Sequence, residues 1–200
     1  MIKILKKNIK LKNKTFFKSS LIHIQIFFID KIYILPLSIK IKKNNNLLFF
    51  ESFLGVLKLN FIKNIFFFII KNKLLISFNL IKKKSIINLY DKLIKIKIKG
   101  ILQSFKSTLI LKGIGFKINI ENSQLVLKLG FSHNIIIPIP SNIKILNQSN
   151  VLIFNSIDYI LLNQFVYYVK NHKTPEVYKG KGFLLKNEKI LIKEGKKSKK

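Results

Sequence analysis

The sequence predicts an α+β fold of two similar units in tandem, each an antiparallel β-sheet packed against one main helix, with basic extensions at both ends. Three observations lead there. Apolar residues alternate with lysine at period two along much of the chain, as they do on strands with one wet face. Two stretches of helical periodicity each open at a serine, a residue suited to cap a helix. The order strand, turn, strand, serine, helix occurs twice, at a separation of about seventy residues, and such an internal repeat implies two copies of one folding unit.

The elements follow in chain order. The first twenty residues, MIKILKKNIKLKNKTFFKSS, carry no acid and many lysines. Their composition resembles a transit peptide, but with Met1 retained they are expected to form a basic extension, assigned to residues 1–34. From Pro36 the pattern becomes β-rich. LSIKIKK (37–43) alternates, NNN (44–46) marks a turn, and LLFF, FLGVLKLNF, IFFFII and LLISFNLI follow, with a KNK turn at 71–73. Ser85 is expected to cap a helix through SIINLYDKLIK, with Ile86, Leu89, Tyr90 and Leu93 on one face. Beyond Leu93, KIKIKG suits a strand as well as a helix. In the second half, TLILKGIGFKINIENSQLVLKLGF reads as strands joined by an Asn-Ser turn, and IIIPIP is extended by its prolines. IKIL, NQSN and VLIFNS make a further hairpin. Ser156 is then expected to cap a helix over 157–170, with Leu161, Phe165 and Tyr168 at helical spacing. These readings place the first unit at 35–103, the second at 104–173, and a basic C-terminal segment at 174–200.

Charge restricts function. The 200 residues contain 38 basic and 8 acidic side chains, a formal net charge of +30, and 48% hydrophobic residues provide a core. Such a chain repels itself unless a polyanion neutralises it. Nucleic acid is the first candidate and an anionic membrane surface the second. Every basic residue is lysine, which meets phosphate as a compact point charge without the fork that reads guanine edges. Binding is therefore expected to follow backbone charge and shape. Alanine, cysteine and tryptophan are absent as well, a bias toward residues with A/T-rich codons that points to an organelle genome or a reduced endosymbiont. The longest uninterrupted apolar run, IFFFII at 65–70, is far short of the roughly 18–20 residues that span a bilayer.

Catalysis finds no support. The acids are scattered, and His23, His133 and His172 are isolated from one another, so no catalytic residue, metal site, cofactor or small-molecule substrate is expected. GIG (113–115) lacks the third glycine of a dinucleotide fingerprint, and a strand follows it. Neither lysine of KGKG precedes a serine or threonine, as a P-loop requires. Gly113 and Gly115 are read instead as permitting a bulge or a close backbone approach.

The most informative stretch is TPEVYKGKGF (174–183). Pro175 is expected to end the preceding helix. Gly180 and Gly182 free the backbone, Lys179 and Lys181 present charge, and Tyr178 offers a ring for stacking or packing. With KNEKILIKEGKKSKK behind it, the stretch suits an irregular segment threaded along RNA; a solvated basic tail is the simpler alternative.

HKTPEVYKGKGFLLKNEKILIKEGKKSKK resembles the C-terminal signature of the large-subunit ribosomal protein L six family. Pro175, Glu176, Tyr178, Lys179, Gly180, Lys181 and Gly182 match it, as do Lys193, Glu194, Lys196 and Lys197. LKGIGFKINIENSQLVLKLGFSHNIIIPIP is similar to a second family stretch, through Gly113, Gly115, Phe116 and the run Leu129 to His133. PLSIKIKKNNNLLFF resembles the family's opening strand more faintly. The resemblance covers residues 35–200. It departs from the family where Lys173 and Thr174 replace an arginine pair, and residues 1–34 have no counterpart.

The resemblance implies two duplicated α+β domains, and it favours a helix end for KIKIK. It also implies a structural, non-enzymatic role. The family binds large-subunit ribosomal RNA near the sarcin-ricin loop and the stalk base, beside neighbouring ribosomal proteins and where translation GTPases dock. Candidate RNA contacts are Tyr178, Lys179, Gly180, Lys181, Gly182, Lys193, Lys196 and Lys197, together with Ser132, His133 and Lys173. Genome bias and the basic extension favour a mitochondrial ribosome, with a relic plastid or an A/T-rich bacterium as alternatives.

Overall fold

The computed structural model describes residues 29–62, 65–70, 73–78 and 84–195. Among the described residues the chain alternates antiparallel strands with two helices. The first unit holds β1 (Ile29–Ile34), β2 (Lys40–Asn44), β3 (Leu47–Ser52), β4 (Gly55–Asn60), β5 (Ile65–Ile70), β6 (Lys73–Phe78) and α1 (Lys84–Leu102). The second holds β7 (Phe105–Lys112), β8 (Lys117–Glu121), β9 (Gln124–Lys128), β10 (Ile135–Pro138), β11 (Lys144–Gln148), β12 (Val151–Ser156), α2 (Tyr159–Asn171) and β13 (Gly182–Leu185).

Topology makes the repeat explicit. In the first unit β2-β3-β4 form a meander and β1-β6-β5 a second sheet. The second unit repeats both, as β10-β9-β8 and β11-β12-β7, and adds β13 on the free edge of β7. In both units the helix follows the sixth strand. Hairpin chemistry explains the registers. Asn45, Asn122, Ser123 and Ser149 adopt positive φ at the strand connections, a conformation asparagine tolerates better than most residues.

Each unit closes its own apolar core. Leu48, Phe50, Leu74, Ile76 and Ile94 are fully or almost fully buried in the first, and Leu109, Leu125, Leu152, Phe154 and Phe183 in the second. Burying each such side chain contributes about 1.5–3 kcal/mol before conformational entropy is counted. The units also touch. Lys97 of α1 donates to Asp158 at 2.8 Å, and Ile157 packs against the first core. Gly100 lies so close that a Cβ there would stand 2.2 Å from the Ile157 carbonyl oxygen.

Several expectations need correction. Residues 29–34, read as part of the extension, form β1 and pair along β6. Their place is the one β7 holds in the second unit, so the first unit begins at least as early as Ile29. The remainder of that extension, residues 1–28, lies outside the described residues. α1 begins at Lys84, so Ser85 sits in its first turn and does not cap it. Its inner face is Tyr90, Ile94, Lys97 and Ile101, whereas Leu89 is exposed. KIKIK belongs to α1, because Ile94, Lys97 and Ile101 recur at helical spacing toward the core.

In the second unit the cap of α2 is Asp158, whose carboxylate accepts from the Ile160 N–H. Ser156 instead ends β12, buried, and donates its hydroxyl to the Asn142 carbonyl at 2.8 Å. Aspartate caps a helix as well as serine does, and burial decides between them. α2 turns Leu162, Phe165, Val166 and Val169 inward, so Leu161 is only half-buried and Tyr168 is exposed. The helix ends at Asn171, ahead of Pro175, with His172 as its C-cap. No helix among the described residues is long and apolar enough to cross a membrane.

Candidate nucleic-acid interface

After α2 the chain folds into a tight loop before it re-enters the sheet. The Gly180 N–H donates to the Glu176 carbonyl at 2.8 Å, and the Glu176 N–H to the Lys181 carbonyl at 2.9 Å. The Phe183 N–H then donates to the Lys173 carbonyl, which fastens the base of the loop. Gly180 has φ +65° and Gly182 φ +135°, both in the left-handed half of backbone space that glycine tolerates. At Gly182 no side chain fits at all: a Cβ would lie 2.7 Å from the Thr174 carbonyl oxygen and 2.8 Å from that of Lys173. Tyr178 and Lys179 ride exposed on the turn, and Lys181 is half-buried.

The expectation of an irregular threaded segment is therefore corrected in part. Residues 182–185 form β13, registered on β7 from Gly182 opposite Lys112 to Leu185 opposite Leu109. Phe183 is fully buried. Farther on, the chain returns to the loop, where the Lys193 N–H donates to the Val177 carbonyl at 2.9 Å. Lys196 and Lys197 lie outside the described residues.

A second group of candidates comes from the other side. Phe116, behind Gly113 and Gly115, and Phe131, behind Gly130, both approach Lys173, whose ammonium lies 5.9 Å from the first ring centroid and 4.7 Å from the second. A cation over an aromatic face is held by the ring quadrupole, so Lys173 is fixed in position while keeping its charge. Gly113 makes this possible, since a Cβ there would meet the Phe116 ring at 2.4 Å. The close approach expected at the first glycine is thus made by a side chain. Ser132 and His133 follow Phe131 on the exposed loop, 3.4 Å apart through Oγ and Nδ1. Phe116, Lys173, Pro175, Glu176 and Lys181 line one open cleft of about 520 Å³.

Two acids are engaged elsewhere, whereas Glu176 lines the cleft itself. Glu188 accepts from the Lys170 ammonium through both oxygens at 2.6 Å and from the Leu185 N–H. Those bonds hold its carboxyl below the usual range, the Lys170 contact first, and they tie the chain beyond β13 to α2. Asp91 is bound by Lys31, Lys95 and the Tyr33 hydroxyl. Burial opposes its charge, but those hydrogen bonds prevail and lower it to about 2. Lys173, Lys179, Lys181 and Lys193 form no ion pair among the described residues, so their charges remain available to a polyanion. Among the described residues no group of three or more His, Asp or Glu could hold a metal ion.

The structure brings Lys173 and Lys181 together at the cleft, with Tyr178, Lys179, Gly180 and Gly182 on its loop and Ser132 and His133 beside Phe131. Sequence reasoning had not given the two rings a role in the site. A glycine one to three residues ahead of a phenylalanine, in both GIGF and LGF, was the signal available.

The family described as ribosomal protein L6 matches residues 112–185, the stretch that holds the rings, the loop and β13. The large ribosomal subunit protein uL6c of Thalassiosira pseudonana is 38% identical over 118 residues, 58% of this chain and 63% of its own length. The large ribosomal subunit protein uL6 of Karelsulcia muelleri is 33% identical over 177 residues, 83% of this chain and 95% of its own length. With uL6 of Helicobacter hepaticus the identity is 36% over 101 residues, and the match spans 57% of that protein.

Proposed function

The chain belongs to the ribosomal protein L6 family, and we propose that it is a structural, non-catalytic constituent of the large ribosomal subunit, held there by ribosomal RNA. The RNA contacts we assign are Lys173, Tyr178, Lys179, Lys181 and Lys193, with Ser132 and His133 from the neighbouring loop and Lys196 and Lys197 farther along the chain. Gly180 and Gly182 shape the backbone that presents them. The observation that carries the reading is the convergence of unpaired lysines on a built loop: Lys173 poised over two rings, Lys181 in the same cleft, and a turn that no side chain at Gly182 would permit.

We divide the folded chain into a first unit from β1 to α1 and a second from β7 to β13, with the second facing the RNA. The finer placement, near the sarcin-ricin loop and the stalk base beside neighbouring proteins and docking GTPases, rests on the family. The mitochondrial assignment rests on the A/T-rich codon bias and the basic N-terminal extension.

Replacing Lys179 and Lys181 together by glutamate tests the loop. The double variant is expected to be depleted from purified large subunits at moderate salt. Normal occupancy would defeat the assignment, and sedimentation with detergent-soluble membrane in place of large particles would defeat the ribosomal reading. For the unaltered chain, log K is expected to fall against log salt by roughly 0.7–0.9 per phosphate neutralised.

A further inference from the structure

Lysines on the paired strands generally stand opposite something that tolerates them. Lys40 faces Glu51, Lys58 faces Phe49, Lys106 and Lys144 both face Asn155, and Lys112 faces Gly182. Among the described strand pairings, Lys117 alone faces another lysine, Lys128. Directly opposed residues of an antiparallel pair have Cα atoms about 4.5–5.5 Å apart and project to the same side. Here that side is the outer one. Both lysines are exposed, while the next registered pair, Ile118 and Leu127, points into the core. Like charges placed directly opposite one another destabilise a hairpin.

Among the described residues no acid offsets this repulsion. Neither lysine forms an ion pair among the described residues, and Glu121, at the far end of β8, engages Asn119. Position adds the second part of the argument. Lys117 directly follows Phe116, and Lys128 directly precedes Leu129, Gly130 and Phe131. The pair therefore adjoins the two rings over which Lys173 is held. A monoanionic backbone phosphate set between two ammonium groups offsets their one repulsion with two attractions. Two neighbouring lysines can each donate to one phosphate, in a chain that has no arginine.

We propose that Lys117 and Lys128 form a clamp that shares one backbone phosphate of the bound RNA. The inference rests on the RNA-binding reading above, and it predicts opposite effects on folding and on binding. The test uses the full chain, deproteinised bacterial large-subunit rRNA as the probe, and a salt series. Variants are Lys117→Gln, Lys128→Gln, their combination, and Lys106→Gln with Lys144→Gln as a charge-matched control on the other sheet.

Each single variant is expected to weaken binding while leaving the thermal midpoint of the free protein unchanged or raised. The double variant is expected to reduce the slope of log K against log salt by about 0.7–0.9, the value for one phosphate. A reduction of twice that size would mean two separate contacts and would overturn the clamp, as would an unchanged slope or an equal effect in the control. A lowered midpoint in the free variants would show that the lysines do not repel and would also overturn it. If the unaltered chain binds and the double variant matches it, only the clamp fails. If the unaltered chain does not bind at all, the RNA reading fails with it.

Discussion

At Gly182 the backbone passes within contact distance of the carbonyl groups of Lys173 and Thr174, in a conformation that side chains rarely adopt. A methyl group there would meet main-chain atoms, which cannot rotate away as a side chain can. Gly182→Ala is expected to cost about 1–3 kcal/mol from backbone conformation alone, and the carbonyl clash adds to it. Urea denaturation of the second unit should report the loss. Gly180 faces only the tip of Ile192 at 4.0 Å, so the same substitution there is governed by φ and should be milder.

Asp91 is the other position where one side chain holds distant parts of the chain. It binds Lys31 and Tyr33 from β1 and Lys95 from its own helix. Its folded value, about 2, lies below the ordinary 3.8, so its contribution is complete above the ordinary value and is lost as pH falls through the folded one. Stability is therefore expected to decline between about pH 4 and pH 2. Asp91→Asn should flatten that decline and cost on the order of 1–3 kcal/mol at neutral pH, because Tyr33 and Lys31 lose a part-buried acceptor. A pH series of thermal midpoints for both proteins checks the sign.

At the level of elements, period-two alternation and turn residues revealed β2, β3, β4 and β7 to β12, and asparagine marked several of the turns. β1 was hidden because the lysine-rich residues ahead of it suggested an extension, and its partner β6 is remote in sequence. Caps were misread because serine and aspartate compete on equal terms, and only the burial of Ser156 shows which one is free. β13 was hidden for a different reason: GFLL behind alternating glycine and lysine has no polar alternation to announce a strand, since Gly182, Phe183 and Leu184 are all buried. The candidate site was legible in its lysines and glycines. Its rings were not, because Phe116 and Phe131 meet Lys173 only through the fold.

Across the whole molecule the two units are joined by more than a short link. Lys97 is 5% exposed, and its ammonium is paired with Asp158, the residue that also caps α2. A buried charge that loses its partner is strongly destabilising, on the order of 3 kcal/mol or more. Asp158→Asn keeps a side-chain oxygen to cap α2 but leaves the buried Lys97 ammonium without its charge partner. It is expected to lower the midpoint and to separate one cooperative transition into two, which calorimetry would resolve. A single undivided transition with an unchanged midpoint would show that the units are not coupled through this pair.

The position of β13 in the chain also bears on the order of synthesis. Among the described residues the first core is complete, apart from Ile157, once Leu102 has been made. The second cannot close until Phe183 emerges, because that ring fills the interior from a strand encoded after the helix. A ribosome making this protein thus holds a finished first half and an open second half for the time needed to add the intervening residues. Throughout that interval Leu111 and Leu109 lack the residues registered opposite them, Phe183 and Leu185, and the basic loop assigned to RNA has not yet been shaped.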